Sequence, residues 1–250
     1  MPGHLRLALA ALLVVALLSP YPELLRWARP GTTSLMQQRL REAREEGTAL
    51  ELQRTWIDLD SVDATLIRAV LIAEDQRFYG HGGVDWEALA EELHYTGHGA
   101  WQWWDVQDWA GVLGAVRYYR DHADDVRGRS TITQQLAKNL YFGTDRSISR
   151  KARELIVAKR LEWFLPKDRI LELYLNVVEL GPGIFGVEAA AQAYFDRSAA
   201  DLTRAQAASL AATLPHPLTS NPAHRPGRMR WRRDLILGRL ARGEGPVPEP

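Results

Sequence analysis

The sequence has no cysteine, which excludes a disulfide framework, a zinc–thiolate site and a thiol nucleophile. It has no net charge either. Its 31 basic side chains balance 31 acidic ones, so no global field draws in a polyanionic partner. Lysine is scarce, at 4 residues against 27 arginines. No internal repeat and no run of period-2 alternation is visible, and only one long apolar stretch occurs. A multi-pass membrane protein is thereby excluded. With 46% hydrophobic and 25% charged residues, so are whole-chain disorder and a collagen-like fibre. What remains is a mainly α chain of 250 residues, enough for one large domain or two small ones.

The neutral total conceals a partition. Residues 74–108 carry eight carboxylates against one cation, Arg77. Residues 127–169 carry eleven cations against four carboxylates, and residues 225–242 carry seven against one. All four lysines (Lys138, Lys151, Lys159 and Lys167) fall in one short window of the second segment. An acidic segment beside two basic ones can build a site that handles protons and an anion. Most of these charges are expected simply to face water.

Leu7 to Leu18 is an unbroken apolar run of twelve residues. The uncharged stretch 7–22 would span about 24 Å as a helix, against a hydrocarbon core of roughly 30 Å. Arg6 can snorkel at one end, and Leu24, Leu25 and Trp27 can extend the other. A cleaved signal peptide has an apolar core of this length too. No A-x-A-like site follows the run, so an uncleaved membrane anchor over 1–22 is the favoured reading. Residues 23–54 then form a juxtamembrane stalk that includes the helix-prone stretch 35–46.

Apolar residues at 62, 66, 69, 70 and 73 predict a helix over 62–73, with Glu74 and Asp75 at its end. Further helices are predicted over 85–95, from Ser130 or Thr131 to Tyr141, and over 147–164 and 168–179, the last two split at Pro166. Others follow over 186–195, 201–213 and 226–241, and 243–250 reads as a loose tail. The stretch Gly181 to Gly186 matches G-x-G-x-x-G. It lacks the βαβ context of a dinucleotide fingerprint, so its glycines are read as a tight turn between helices. Thr131, Gln134, Gln135 and Lys138 share one helix face, opposite Ile132, Leu136 and Leu140. A Thr-Gln-Gln-Lys stripe suits hydrogen bonding to a hydroxyl-rich ligand better than a plain solvated face does.

Five ordered motifs now bear on identity. Glu74-Asp75-Gln-Arg-Phe78-Tyr-Gly-His81-Gly-Gly83-Val-Asp85 resembles the first signature of the family 51 glycosyltransferases, the peptidoglycan polymerases. Gly128-Arg-Ser130-Thr131-Ile-Thr133-Gln134-Gln135-Leu-Ala-Lys138-Asn139 is similar to the second, and Arg150-Lys151-Ala-Arg-Glu154 to the third. Lys167 to Asn176 resembles the fourth, and Gly183 to Glu188 the fifth. Arg129 departs from the small residue usual in the family, and the Trp-rich stretch between Asp85 and Gly128 does not match.

The resemblance implies a lysozyme-like, two-lobed glycosyltransferase domain over 55–242 behind one N-terminal transmembrane helix. It implies polymerisation of lipid II into β-1,4 glycan with inversion, releasing undecaprenyl pyrophosphate. The expected location is the bacterial inner membrane, single-pass, with the catalytic domain on the periplasmic face. Expected partners are lipid II, the growing glycan-lipid, the membrane and cell-wall synthases, and no nucleic acid. The chain has no S-x-x-K, the nucleophile motif of transpeptidase domains, so a monofunctional subtype is implied.

Carried over by motif, Glu74 is the general base and Glu154 a second essential carboxylate. Read alone, Glu154 would be an intrahelical ion-pair partner of Arg150 and Lys151. Lys138 and Arg146, with Arg150 and Lys151 nearby, face the pyrophosphate, whose developing charge needs cations. Ser130, Thr131, Gln134, Gln135 and Asn139 position sugar or phosphate oxygens, while His81 and Phe78 support the Glu74 loop. Tyr174 and Asn176 stay open between scaffold and contact. A divalent ion, Mg or Mn, is expected only weakly bound at the pyrophosphate, with no metal site in the protein. A lysozyme-like hydrolase is the nearest rival, since it also sets carboxylates around a sugar bond. A membrane-anchored interaction protein is the other. Trp101, Trp103, Trp104 and Trp109 are expected to dip into the outer leaflet; the alternative is a local core on Tyr118 and Tyr119.

Overall fold

A computed structural model describes residues 22–92, 130–144 and 147–246, together with positions 111, 114 and 117. The expected anchor run, Arg146 and the four clustered tryptophans lie outside the described residues. No helix among the described residues is long and apolar enough to cross a membrane. The architecture is mainly helical, as the sequence pattern predicts.

Helix α1 (Ser34–Glu45) is capped by Thr33, whose hydroxyl accepts the Met36 N–H at 3.3 Å. Although it falls in the segment read as a stalk, this helix is docked. Leu35, Met36 and Ala43 are buried. Arg39 forks onto Glu179, with Nε to Oε1 at 2.7 Å and Nη2 to Oε2 at 2.8 Å. Gln38 pairs with both the backbone N–H and the hydroxyl of Thr144.

Helix α2 (Ala64–Glu74) starts at Asp63, whose carboxylate accepts the Leu66 N–H at 3.1 Å. Leu66, Ile67, Ala69, Val70, Leu71 and Ile72 are all buried. The helix is therefore covered on more faces than its amphipathic spacing suggests. Two later helices do the covering: α8 (Arg204–Thr213) and α9 (Gly227–Ala241) both pack on α2 and on each other. The buried Ala207, Ala208, Ser209, Ala211 and Ala212 of α8 are small enough to allow close approach, and a Thr203–Gln206 capping box starts that helix.

Between these lie α3 (Trp86–Glu92), α4 (Ile132–Ala137), α5 (Ile148–Phe164), α6 (Lys167–Val177) and α7 (Val187–Phe195). Helix α4 runs on as one π-helical turn, Lys138–Phe142. Pro166 does separate α5 from α6, because the residue before a proline is driven out of the helical region. Asn176 is scaffold: its Oδ1 accepts the Ile57 N–H and its Nδ2 donates to the Ile57 carbonyl, both at 2.8 Å.

The glycine-rich turn differs from expectation. It joins two short antiparallel strands, β1 (Glu179–Gly181) and β2 (Ile184–Phe185), with Gln53 bridging to Ile184 in parallel. Strands of three and two residues are too short for alternation to show. Gly183 sits at φ +74°, and a Cβ there would lie 2.4 Å from the Glu51 carbonyl oxygen, so only glycine fits. The start of the segment read as a loose tail is also held. The Glu244 carbonyl accepts Arg68 at 3.1 Å, and its carboxylate accepts Arg239 and Arg242.

Candidate active site

The site forms where the C-terminal end of α2 meets the N-terminal end of α4. Glu74 closes α2. Asp75, which follows it, is buried and bridges the two helices. One Asp75 oxygen, Oδ2, accepts the Ile132 N–H at 3.0 Å, at the start of α4. Both oxygens lie near His81 Nε2, at 2.9 and 3.1 Å. His81 Nδ1 accepts the Gly83 N–H at 3.2 Å, which leaves Nε2 to donate to Asp75. Thr131 caps α4 by accepting the Gln134 N–H at 3.2 Å and donates its own hydroxyl to the Gly83 carbonyl at 2.7 Å. The first two sequence motifs are thus one interlocked unit. Phe78 is fully buried and meets the His81 ring edge-on, with 6.5 Å between ring centroids.

The Glu74 side chain is 11% exposed. Its Oε2 accepts from Gln135 Nε2 at 2.9 Å. Gln135 is oriented in turn by the Tyr174 hydroxyl, which donates to Gln135 Oε1 at 3.0 Å. The other oxygen, Glu74 Oε1, is buried without a hydrogen-bond partner. Burial pushes the Glu74 carboxyl above its ordinary range, against the opposing pull of Gln135, Arg232 and Lys138; the Asp75 charge adds to the rise. Burial likewise pushes the Tyr174 phenol well up, with Glu74 and Asp75 reinforcing it, so the phenol is a neutral donor.

A second cluster sits across Ser130. Glu154 is 2% exposed, and its two oxygens take Lys151 Nζ at 2.6 Å and Arg150 Nη1 at 2.5 Å. Lys151 also donates to Ser130 Oγ at 3.1 Å and to Gln134 Oε1 at 3.3 Å. The ion pair predicted from i, i+3 and i+4 spacing exists, with its carboxylate buried and Lys151 partly exposed. Ser130 joins the clusters, since its carbonyl also accepts Gln135 Nε2 at 3.2 Å. Lys138 opens the π turn with its neighbour Asn139 buried beside it. Its ammonium has no hydrogen-bond partner among the described residues. Burial pushes it below the ordinary lysine value; Glu154 pulls it up, and Arg150 and Lys151 push it further down.

The structure therefore brings Glu74, Gln135, Ser130, Gln134, Lys151, Glu154 and Arg150 into one network, with Thr131, Lys138 and Asn139 on its supporting helix. The lysine window divides. Lys159 donates to the Gly82 carbonyl at 2.5 Å, and Lys167 donates to the His81 carbonyl at 2.6 Å and to Glu162 at 2.8 Å. These two fasten the loop after Glu74 and are not part of an anion array.

Two contributors escaped the sequence reading. From sequence alone Tyr174 stays open between scaffold and contact, and Arg232 is one of seven cations of 225–242 expected to face water. Among the described residues, no group of three or more His, Asp or Glu could hold a metal ion, and both Glu154 oxygens are already engaged by cations. The described groups of this cluster do not by themselves make up a dedicated Mg or Mn site.

Known proteins match most of the chain. The family model described as Transglycosylase matches residues 41–100 and 105–241. A biosynthetic peptidoglycan transglycosylase of Bordetella pertussis is 40% identical over 217 residues, covering 87% of this chain and 82% of that protein. One of Brucella suis is 37% identical over 243 residues, covering 96% and 95%. One of Neisseria gonorrhoeae is 34% identical over 221 residues, covering 88% and 85%.

Proposed function

The chain belongs to the Transglycosylase family and is a glycosyltransferase of peptidoglycan synthesis; on that premise, we propose that it polymerises lipid II into β-1,4 glycan strands with inversion and without transpeptidation. The observation that carries the chemistry is the asymmetry of Glu74. One carboxylate oxygen is pinned through Gln135 to Tyr174, and the other is buried without a hydrogen-bond partner.

In the proposed step, the 4-hydroxyl oxygen of the acceptor sugar bonds to the anomeric carbon of the donor chain. The anomeric carbon–oxygen bond to pyrophosphate breaks, and the pyrophosphate leaves with the electron pair. The hydroxyl proton passes to Glu74 Oε1. A carboxyl with a raised pKa is a stronger base once ionised, which suits this transfer. Lys138, with Arg150, Lys151 and Arg146, takes up the charge developing on the pyrophosphate. Lys138 is half-buried and its ammonium makes no hydrogen bond among the described residues, so it is available to pair with an arriving anion, which supports Lys138 in that role. Glu154 holds Arg150 and Lys151 in place for the donor. Any divalent ion in the reaction would be held by pyrophosphate oxygens, and no step is routed through it.

The apolar run Leu7–Leu18 supports attachment to the inner membrane with the catalytic domain on the periplasmic face, beside substrates that carry lipid tails. With no S-x-x-K in the sequence, the chain's own residues offer no transpeptidase nucleophile of that type.

The test is polymerisation of purified lipid II by wild type and Glu74→Gln. Turnover should fall roughly 10²–10⁴-fold in the variant while its melting curve stays cooperative. A folded Glu74→Gln protein that polymerises like wild type removes the base assignment. Release of fragments from preformed glycan, with no polymer from lipid II, would make the protein a hydrolase instead.

A further inference from the structure

The C-terminal helix α9 lies outside the five sequence motifs, yet it reaches the proposed base. Arg232 Nη2 stands 3.8 Å from Glu74 Oε1, too long for a hydrogen bond and close enough for a strong charge interaction. Glu74 Oε1, at one end of this gap, and Nε of the same Arg232 guanidinium are each buried without a hydrogen-bond partner. Buried polar atoms left unpaired in a folded protein call for an explanation in function.

The helix is held in the register this requires. Met229, Ile236 and Leu240 are buried on the face that packs towards α2 and α8. Arg239, seven residues after Arg232 and so on the same face, donates to the Ile72 carbonyl at 3.0 Å and to Gln76 Oε1 at 2.5 Å. Arg239 thus pins α9 to the residues either side of Glu74, and Arg232 is carried to the carboxylate two turns away. Arg232 is only 29% exposed, so solvent screens the interaction incompletely.

We propose that Arg232 is a positioning residue for the reaction: its fixed positive charge keeps the free oxygen of Glu74 ionised and ready to accept the acceptor's proton. Among the described residues, groups from several elements contribute to this balance. Asp75, next in sequence, opposes ionisation. Gln135 and Lys138, from α4 and its π turn, favour it. The Tyr174 hydroxyl of α6 acts through Gln135. Arg232 is the contribution of α9, and its guanidinium stays charged throughout the working range. The inference rests on the reading of Glu74 as base.

The test is the pH dependence of kcat/KM on lipid II for wild type, Arg232→Gln, Arg232→Lys and Glu74→Gln, alongside a carbon-13 titration of the Glu74 carboxyl. Loss of the charge should move the acid limb of the Arg232→Gln profile to higher pH. The loss should be about tenfold or more at pH 6 and shrink to within about threefold at pH 9, the signature of an altered protonation equilibrium. Arg232→Lys should stay near the wild-type limb, and the carboxyl titration should move with the rate profile. A uniform loss at all pH values with an unmoved limb, or a rise in KM alone, would overturn the inference by making Arg232 a scaffold or substrate contact. So would an undisplaced carboxyl titration. If Arg232→Gln does not fold, an Arg232→Lys limb displaced as far as the loss expected for glutamine overturns it as well. A displaced titration in Arg232→Gln with a fully active Glu74→Gln would leave the coupling standing and remove the base assignment instead.

Discussion

Tyr174→Phe isolates the hydrogen-bond relay behind the proposed base. Tyr174 is fully buried, so phenylalanine keeps the packed ring and deletes only the hydroxyl. The 3.0 Å bond to Gln135 Oε1 is lost, and that oxygen is left in a site the ring keeps dry. A lost bond with a stranded buried partner costs about 1–3 kcal/mol. In a domain of this size each kcal/mol lowers the melting temperature by about 2–4 °C, so a fall of roughly 2–12 °C is expected. Gln135 cannot recover by flipping its amide, because that would aim its carbonyl oxygen at the Glu74 carboxylate. It still faces Glu74, at 2.9 Å in the wild type, but with one anchor fewer. Turnover should therefore fall, though by much less than in Glu74→Gln. Since the phenol's pKa lies well above the ordinary value, the defect should be constant from pH 6 to 9. Thermal unfolding and lipid II polymerisation read the two effects. A Tyr174→Phe protein that melts within 1 °C of wild type at full activity would refute the relay.

Two further substitutions separate function from stability. Lys138→Met should polymerise far less lipid II yet melt higher at neutral pH, because burial disfavours the ammonium in the folded state. A lysine with a lowered folded pKa carries its full penalty below that pKa and loses it as pH rises towards the ordinary 10.5, so the gain in melting temperature should shrink on going alkaline; a lower melting temperature at pH 7 would contradict it. Gly183→Ala should destabilise by about 1–3 kcal/mol from backbone conformation alone, and more from the 2.4 Å approach to the Glu51 carbonyl; unchanged thermal unfolding would mean that the turn relaxes.

Helices were legible where local rules decide them. Asp63, Thr131 and Ser147 cap as short polar side chains before apolar runs do, and Pro166 breaks the chain where it stands. What was not legible is whatever long-range packing decides. In the sequence, the Thr-Gln-Gln-Lys stripe looks like a ligand-facing row. Yet Thr131 is tied to Gly83, Gln134 to Lys151 and Gln135 to Glu74 and Tyr174, so three of its four members hold other residues. The four lysines share a composition window but divide by geometry. Lys159 and Lys167 meet backbone carbonyls that no local pattern announces, and Lys159→Ala, which looks like a neutral control in the sequence, would unfasten Gly82. Arg232 was hidden for the same reason. Seven arginines in α9 and its flanks look alike in sequence, and only the packing of α9 on α2 sets one against Glu74.

The choice between Glu74 and Asp75 shows how the fold makes one of two adjacent carboxylates reactive. By composition they are interchangeable ends of an acidic pair. Helix α2 ends between them, at a terminus whose dipole disfavours negative charge, and the chain then turns. Asp75 is turned towards the N-terminal end of α4, where the Ile132 N–H and His81 engage its oxygens. That carboxylate has no oxygen left for substrate and no room for one, so it serves as a rivet. Glu74 stays on the α2 side, where a single amide holds one oxygen and the other is buried without a hydrogen bond. A base needs that combination: one oxygen fixed to define direction and one oxygen free to take the proton. Exchanging the two residues, Glu74→Asp with Asp75→Glu, would keep composition and charge. It should still abolish polymerisation, because the shorter side chain would not span to Gln135 and the longer one would not fit against Ile132. Retained turnover in that double variant would mean that the carboxylate pair acts as a diffuse charge and that the asymmetry of its hydrogen bonds is irrelevant.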